Sequence, residues 1–216
     1  MFAHRVVDFT GPANVEWVEV DEPVAGGGVI VEVAAAGVSF ADLLQTCGRY
    51  QLDLPLPFTP GMDAAGVVRW APAQTGVRVG QRVAVLASHG CWQEVVTAPP
   101  EWVLPLPDDM SFEVGAAVPL TYLTGLFALV HRGRARAGQT VVVHGGAGGV
   151  GVAAVQLGRA LGLRTIAVTS EVSKGTSRCA PEHTMPCSAM AGWPPCATWS
   201  ANARSTSSWI PSVATG

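Results

Sequence analysis

The fold class of this 216-residue chain follows from one stretch, Val141-Val142-Val143-His144-Gly145-Gly146-Ala147-Gly148-Gly149-Val150-Gly151. Its β-branched residues predict a strand, and residues 152–161 carry apolar side chains at helical spacing. Gly146, Gly148 and Gly151 match G-x-G-x-x-G between these elements, and residues 164–169 supply a second strand. Such glycines permit a tight turn, the approach of a pyrophosphate and close helix packing, while the helix N-terminus attracts phosphate. The stretch predicts a dinucleotide-binding βαβ unit; the alternative is a glycine-rich turn without a ligand.

Composition limits the remaining classes of function. The chain is 49% hydrophobic and 13% charged, which suits a packed core in one large or two small domains. A net charge of −3 without a basic stripe argues against nucleic acid binding. We find no apolar run long enough to span a membrane and no signal-peptide pattern at the start, so we expect a cytoplasmic protein. None of the five cysteines forms C-x-x-C, so reduced thiols are expected.

The first half of the chain has the pattern of a β-rich, barrel-like domain that ends near residue 110. Short strand-like runs are separated by Gly and Pro turns at residues 5–9, 15–20, 29–33, 66–70, 82–86 and 92–96. Residues 40–46 predict a short helix. Ser111 is a predicted N-cap, and helical spacing continues from Phe112 to Leu129 with a break expected at Pro119. The predicted fold class is therefore α/β, with a β-rich domain followed by the βαβ unit.

Several further motifs carry a resemblance to a known family. They are AAGVSFAD at 35–42, GRY at 48–50, LPFTPGMDAAGVV at 56–68, VRVGQRV at 77–83 and PLTYLT at 119–124. In this order they resemble the medium-chain dehydrogenase/reductase superfamily, and within it the zinc-independent quinone oxidoreductase (zeta-crystallin-like) branch. The resemblance covers residues 1 to about 174 and implies a GroES-like barrel domain followed by a Rossmann-type nucleotide-binding domain.

The metal ligands of the zinc-dependent branch are replaced in this chain. That branch has Cys after Gly-Val in the first motif and His after Pro-Gly in the third, whereas the chain has Ser39 and Met62. A hydroxyl and a thioether are poor zinc ligands beside thiolate and imidazole. The four-cysteine structural zinc loop is also missing, and the tail set Cys179, His183, Cys187 and Cys196 fits no standard ligand spacing. We therefore expect no metal.

Without zinc, the resemblance implies direct hydride transfer from a nicotinamide to a small-molecule quinone or another conjugated carbonyl. By resemblance, Ser39, Asp42 and Tyr50 line the cleft between the domains and are the catalytic candidates. Tyr50 can stack on a ring or bond a carbonyl, and its alternative is a half-buried packing role. Asp42 has the alternative of a helix-surface or capping carboxylate. Thr121 and Thr124 are expected near the nicotinamide.

The cofactor prediction combines the glycine loop with the end of the second strand. The expected pyrophosphate-binding residues are Gly146, Ala147, Gly148, Gly149, Val150 and Gly151. An NAD site usually has an acid about 20 residues past the loop, and Thr169 takes that place. Ser170 and Lys174 can hold a 2′-phosphate, although Glu171 is an unfavourable neighbour and Lys174 has the alternative of a solvated helix-start lysine. The residues favour NADPH.

The last part of the chain departs from the family pattern. Residues 171–216 contain no Leu, Phe, Tyr, Asp or Gln. We divide the chain into a substrate domain at 1–110, half of a Rossmann domain at 111–174 and an aberrant tail at 175–216. A shifted reading frame, a natural divergent tail and an unstructured extension stay open as explanations.

Three functions are compatible with these features. The first is an NADPH-dependent, zinc-free quinone oxidoreductase-like enzyme, whose full-length family forms homodimers. The second is an enoyl reductase that acts on an acyl thioester. The third is a catalytically inactive, truncated fragment. Thermal stabilisation by added NADPH separates a folded enzyme from a fragment.

Overall fold

The computed structural model describes residues 1–169. Backbone contacts divide the chain into two units, Met1–Leu120 and Thr121–Gly216. The predicted cofactor residues Ser170 and Lys174, together with the tail at 175–216, lie outside the described residues.

The first unit is built from antiparallel strands. Strand β1 at Phe2–Val6 pairs with β2 at Val15–Glu19. The next strands are β3 at Val29–Ala36, β4 at Asp63–Trp70, β5 at Arg82–Leu86, β6 at Val95–Ala98 and β7 at Val103–Pro105. They form one sheet in the order β6-β3-β4-β5-β7. Its core consists of small and β-branched side chains: Val29, Val31, Ala64, Val68, Val83, Val85, Cys91, Val96, Ala98 and Val103.

The centre of this sheet is the pairing of β3 with β4. Val33 lies opposite Gly66. The register shifts between Ile30 and Val31, and again between Val33 and Ala35. A methyl group built on Gly66 would lie 1.8 Å from the carbonyl oxygen of Glu32. The two backbones therefore approach each other at a point where only glycine fits.

Helices begin where the sequence predicts them. Helix α1 at Phe40–Thr46 follows its cap Ser39, and α2 at Phe112–Ala117 follows Ser111, whose Oγ accepts the Val114 N–H at 3.3 Å. Helix α3 spans Pro119–Leu126, so the expected break at Pro119 is confirmed. A π-helical segment at Phe127–Arg132 continues it.

The described part of the second unit contains the predicted βαβ element. Strand β8 at Thr140–His144 runs parallel to β9 at Arg164–Val168, and helix α4 at Gly149–Ala160 connects them. Their apolar sides meet in a separate core of Leu129, Val141, Val143, Ala154, Val155, Leu163 and Ala167. The prediction of a parallel pair joined by a helix is confirmed.

Most predicted strands differ from the observed ones in their bounds, and two of them are displaced along the chain. The strand expected at 5–9 is β1, which ends at Val6. The strand expected at 92–96 begins only at Val95. The reason is that Trp92 bonds outside the sheet: its N–H donates to the Pro60 carbonyl at 3.0 Å, and its indole Nε1 to the Gly37 carbonyl at 2.8 Å.

We expect Gly66→Ala to destabilise the protein by about 3 kcal/mol or more, because the added methyl would push β3 and β4 apart. Gly27→Ala is the matched control, since a Cβ there meets nothing within 4 Å. Urea unfolding of both variants measures the difference. Equal stability of the two variants would show that the sheet tolerates a wider spacing.

Candidate functional site

The glycine loop turns the chain sharply between β8 and α4. Gly145 has a φ of 66°, which is a left-handed conformation that favours glycine, and its carbonyl accepts the Gly148 N–H at 2.9 Å. Gly148 is the N-cap of α4 in an extended conformation and makes no side-chain capping bond. The turn therefore presents backbone at the start of the helix.

Close packing explains the remaining glycines of the motif. A Cβ on Gly151 would lie 2.2 Å from the Gly145 carbonyl oxygen, and a Cβ on Gly146 would lie 2.7 Å from the Cβ of Ala167 on β9. Gly151 thus holds helix and loop together, as the motif predicts. The tight turn, which the motif assigns to its first glycine, belongs instead to Gly145, and Gly146 provides the approach to β9.

The loop has the features of an anion-binding site. Gly148, Gly149 and Val150 are exposed, and N–H groups in the first turn of an α-helix have no intrahelical acceptor. The positive end of the helix dipole lies at the same place. A pyrophosphate fits this donor set, since a side chain at Gly148 is absent and the backbone is accessible.

The two threonines predicted near the nicotinamide lie on α3. A Cβ built on Gly149 would lie 3.1 Å from the methyl carbon of Thr121, so Thr121 neighbours the glycine loop. Thr124 lies one turn further along the helix and is partly exposed. Between them, the Tyr122 hydroxyl hydrogen-bonds to Oε1 of Gln156 on α4. The structure thus brings Thr121 to the loop, while the contact of either threonine with a cofactor stays a prediction.

The position that discriminates between dinucleotides follows β9 directly. Thr169 is partly buried there, and Ala147 in the loop is partly buried as well. A threonine therefore stands where an NAD site usually has a carboxylate.

Ser39 and Asp42 form a capping box at the start of α1. Oδ2 of Asp42 accepts the N–H and the hydroxyl of Ser39, each at 2.7 Å, and Oγ of Ser39 accepts the Asp42 N–H at 3.3 Å. Asp42 is only 1% exposed. Of the two interpretations of Asp42, the structure shows the capping carboxylate, and a catalytic role for either residue stays a prediction.

A second buried carboxyl group lies at the start of β4. Asp63 is 4% exposed, and its Oδ1 accepts the Leu120 N–H at 2.9 Å, next to Pro119 at the start of α3. The pKa of Asp63 is raised to about 7, chiefly by burial; the hydrogen bond from the Leu120 N–H acts in the opposite direction, and the nearby Asp42 carboxylate adds a smaller increase. Burial also raises the pKa of Asp42, opposed by its hydrogen bonds to Ser39.

Cys91 belongs to the same buried group. Burial raises the pKa of its thiol, and the negative charges of Asp63 and Asp42 raise it further. A thiol kept protonated in this way is a poor nucleophile. The three side chains are consequently a set of buried acids, and burial raises the pKa of each.

Tyr50 lines a cavity of about 790 Å³ in the first unit. The same cavity is also lined by Met62, Ser88, His89 and Leu120. Tyr50 is half-buried. A space of this size accommodates a small flat ring.

Two features are absent from residues 1–169. This part of the chain contains no group of three or more His, Cys, Asp or Glu side chains arranged to hold a metal ion. None of its helices combines the length and the apolar character needed to cross a lipid bilayer.

Sequence reasoning assigned no role to Asp63 or His89. The signal for Asp63 is an acid at the start of a strand whose next five residues are apolar, within the GMDAAG segment. The signal for His89 is a Ser-His-Gly segment just after β5, where a loop follows a buried strand.

We expect Asp63→Asn to stabilise the protein above pH 7. Because the folded pKa of Asp63 is raised above its unfolded value of about 3.8, the folded state loses stability as pH rises from about 4 to about 7. The amide oxygen of asparagine still accepts the Leu120 N–H but carries no charge. At pH 8 the free energy of unfolding should therefore increase by on the order of 2–4 kcal/mol. Urea unfolding at pH 5 and pH 8 measures it.

The matched control is Asp53→Asn, which removes an exposed carboxylate. Its effect should be within about 0.5 kcal/mol at both pH values. A loss of stability in Asp63→Asn at pH 8 would mean that the charged carboxylate is required at the start of α3.

Comparison with known proteins places the chain in a family. Residues 25–108 match the family model described as alcohol dehydrogenase GroES-like domain. The chain is 43% identical over 154 residues to the synaptic vesicle membrane protein VAT-1 homolog of Mus musculus, covering 70% of the chain and 38% of that protein. It is 36% identical over 170 residues to the quinone oxidoreductase of Mus musculus, covering 77% of the chain and 51% of that protein.

A solved structure agrees with these relatives. The quinone oxidoreductase from Thermus thermophilus, whose complex with NADPH is also known, superposes with a TM-score of 0.71 at 40% identity. The match covers 81% of this chain and 55% of that one, so the chain spans about half the length of its relatives. Because the similarity extends in sequence and in fold from the GroES-like domain through the βαβ unit, the chain belongs to the medium-chain dehydrogenase/reductase superfamily.

Proposed function

We propose that the protein is an NADPH-dependent oxidoreductase of the quinone oxidoreductase type. The observation that carries the proposal is the exposed glycine turn at the start of α4, with Gly148 as an N-cap that has no side chain. Similarity to the Thermus thermophilus quinone oxidoreductase, which binds NADPH, supports the same cofactor. When bound, NADPH supplies a hydride to a quinone or another conjugated carbonyl.

The contribution of this chain is binding and orientation. The first-turn N–H groups of α4 bind the pyrophosphate, and Thr121 beside Gly149 borders the place that the loop leaves for the cofactor. Tyr50 borders the cavity of about 790 Å³ that receives the substrate ring. Solvent supplies the proton that completes reduction, so the reaction requires no general acid from the buried pair of Asp42 and Asp63.

The preference for NADPH over NADH rests on the end of β9. An acid there would bind the ribose 2′-OH and repel a 2′-phosphate, and Thr169 carries no charge. Ser170 and Lys174 are the proposed partners of the 2′-phosphate.

We expect NADPH to raise the melting temperature of the chain, with about 2.7 kcal/mol of stabilisation at 100 times its Kd. Gly148→Asp should abolish this shift, because a carboxylate would stand where the pyrophosphate binds. The variant should still fold, because aspartate is a favoured N-cap, which offsets the 3.3 Å approach of its Cβ to the Gly145 carbonyl oxygen. Differential scanning fluorimetry with and without NADPH measures both effects.

Gly148→Asn is the control of matched shape and should retain more of the shift than Gly148→Asp. An undiminished shift in Gly148→Asp would exclude the loop as the phosphate site. If the wild-type chain shows no shift at all, the inactive-fragment interpretation replaces the proposed function.

We expect Thr169→Asp to reverse the preference from NADPH towards NADH by about tenfold or more, since one charge-assisted contact differs between the two cofactors. Thr169→Asn is the neutral control and should change the preference little. Thermal shifts with each cofactor give the ratio. An unchanged ratio in Thr169→Asp would remove this position from cofactor discrimination.

One assay separates the two proposed substrate classes. NADPH oxidation is followed with a 1,4-quinone and, separately, with an α,β-unsaturated acyl thioester. Turnover of the thioester alone would assign the protein to the enoyl reductases instead.

A further inference from the structure

The segment that follows β5 is held rigidly against the chain before β4. Three backbone N–H groups make this contact: Ala87 to the Met62 carbonyl (2.8 Å), Cys91 to Gly61 (3.0 Å) and Trp92 to Pro60 (3.0 Å). From the other side, Nε2 of the buried Gln45 donates to the Ser88 carbonyl at 2.8 Å. Ser88 and His89 therefore occupy a fixed position at the tip of this segment.

The two tip residues form a hydrogen-bonded pair. Oγ of Ser88 lies 2.9 Å from Nδ1 of His89. The edge-on ring of Phe58 packs against the imidazole at a centroid distance of 6.4 Å and an angle of 84°. The imidazole is thus oriented by one polar and one apolar neighbour, although both Ser88 and His89 are exposed.

The pair lies on the wall of the same cavity as Tyr50. The charged residues that line the cavity are Arg5 and Asp21, and the N-terminal amine of Met1 donates to the Val20 carbonyl. Loss of water around His89 lowers the pKa of its imidazole, which favours the neutral ring at pH 7. A neutral imidazole carries one proton, on the nitrogen that is not accepting a hydrogen bond.

We propose that His89 is a substrate-binding residue, whose Nε2–H donates a hydrogen bond to a carbonyl oxygen of the quinone in the cavity. In this arrangement the Ser88 hydroxyl donates to Nδ1 and thereby places the imidazole proton on Nε2. The inference rests on the proposed function and deepens it, since it names the group that recognises the substrate oxygen.

The role of His89 in the reaction is polarisation without proton loss. Hydride addition brings two electrons and converts the quinone into a hydroquinone anion, leaving NADP⁺. The Nε2–H bond becomes stronger as charge develops on that oxygen. Water then protonates the oxygen to give the hydroquinone, and His89 is neutral before and after.

The test is a titration of the ¹⁵N-histidine-labelled chain with duroquinone, without NADPH. All four alkene carbons of the duroquinone ring carry methyl groups, which limits addition of thiols such as Cys47. We expect the NMR spectrum to show the Nε2–H tautomer of His89, and duroquinone to shift its Nε2 resonance. His131, an exposed histidine stacked on Phe127 in the second unit, should not shift.

Two variants of His89 separate hydrogen bonding from packing. His89→Phe keeps a flat ring against Phe58 without a donor and should bind duroquinone roughly 3- to 10-fold more weakly. His89→Gln keeps an N–H donor at a similar reach and should stay within about twofold of the wild type. Melting temperatures of both variants show whether the fold is retained.

The inference is overturned by an Nδ1–H tautomer, by an unmoved His89 resonance, or by equally weak binding of the Gln and Phe variants. The wild-type spectrum alone decides the first two outcomes, even if a variant does not fold. Because NADPH is omitted, a failure here leaves the NADPH thermal shift intact. Likewise, if NADPH does not raise the melting temperature, the duroquinone titration can still be interpreted.

Discussion

The first unit depends on the close contact between the backbones of β3 and β4. Gly66 permits it, since a single methyl group there would lie 1.8 Å from the Glu32 carbonyl oxygen. Both strands lie in the interior of the five-stranded sheet, so each has a hydrogen-bonded neighbour on either side. At one end the Gly37 N–H donates to the Asp63 carbonyl at 2.9 Å. That bond positions the segment from which α1 begins.

The same physical condition, absence of a side chain, shapes the second unit. Gly151 lets the first turn of α4 contact the Gly145 carbonyl, and Gly146 lets the loop contact β9. Close packing and phosphate binding are thereby served by one short segment. The backbone that packs without side chains is also the backbone that offers N–H groups to an anion.

The polar residues of the first unit divide into two sets with different tasks. Asp42 and Asp63 are buried and hold helix starts, because each accepts a backbone N–H group, and their burial raises the pKa of both. Tyr50 and His89 border the cavity and are available to a ligand. We infer that the carboxyl groups maintain the geometry, and that the cavity residues recognise the substrate.

The sequence by itself determined the order of elements, the βαβ unit, the cap at Ser111, and the family. These features depend on local signals, namely hydrophobic period, glycine spacing and capping residues, which act within a few residues along the chain. The burial of Asp63 and the position of His89 were decided only by tertiary structure. Leu120 bonds to Asp63 across 57 residues, and Gln45 bonds to the Ser88 carbonyl across 43. No local pattern encodes such pairings, because they follow from how the strands pack.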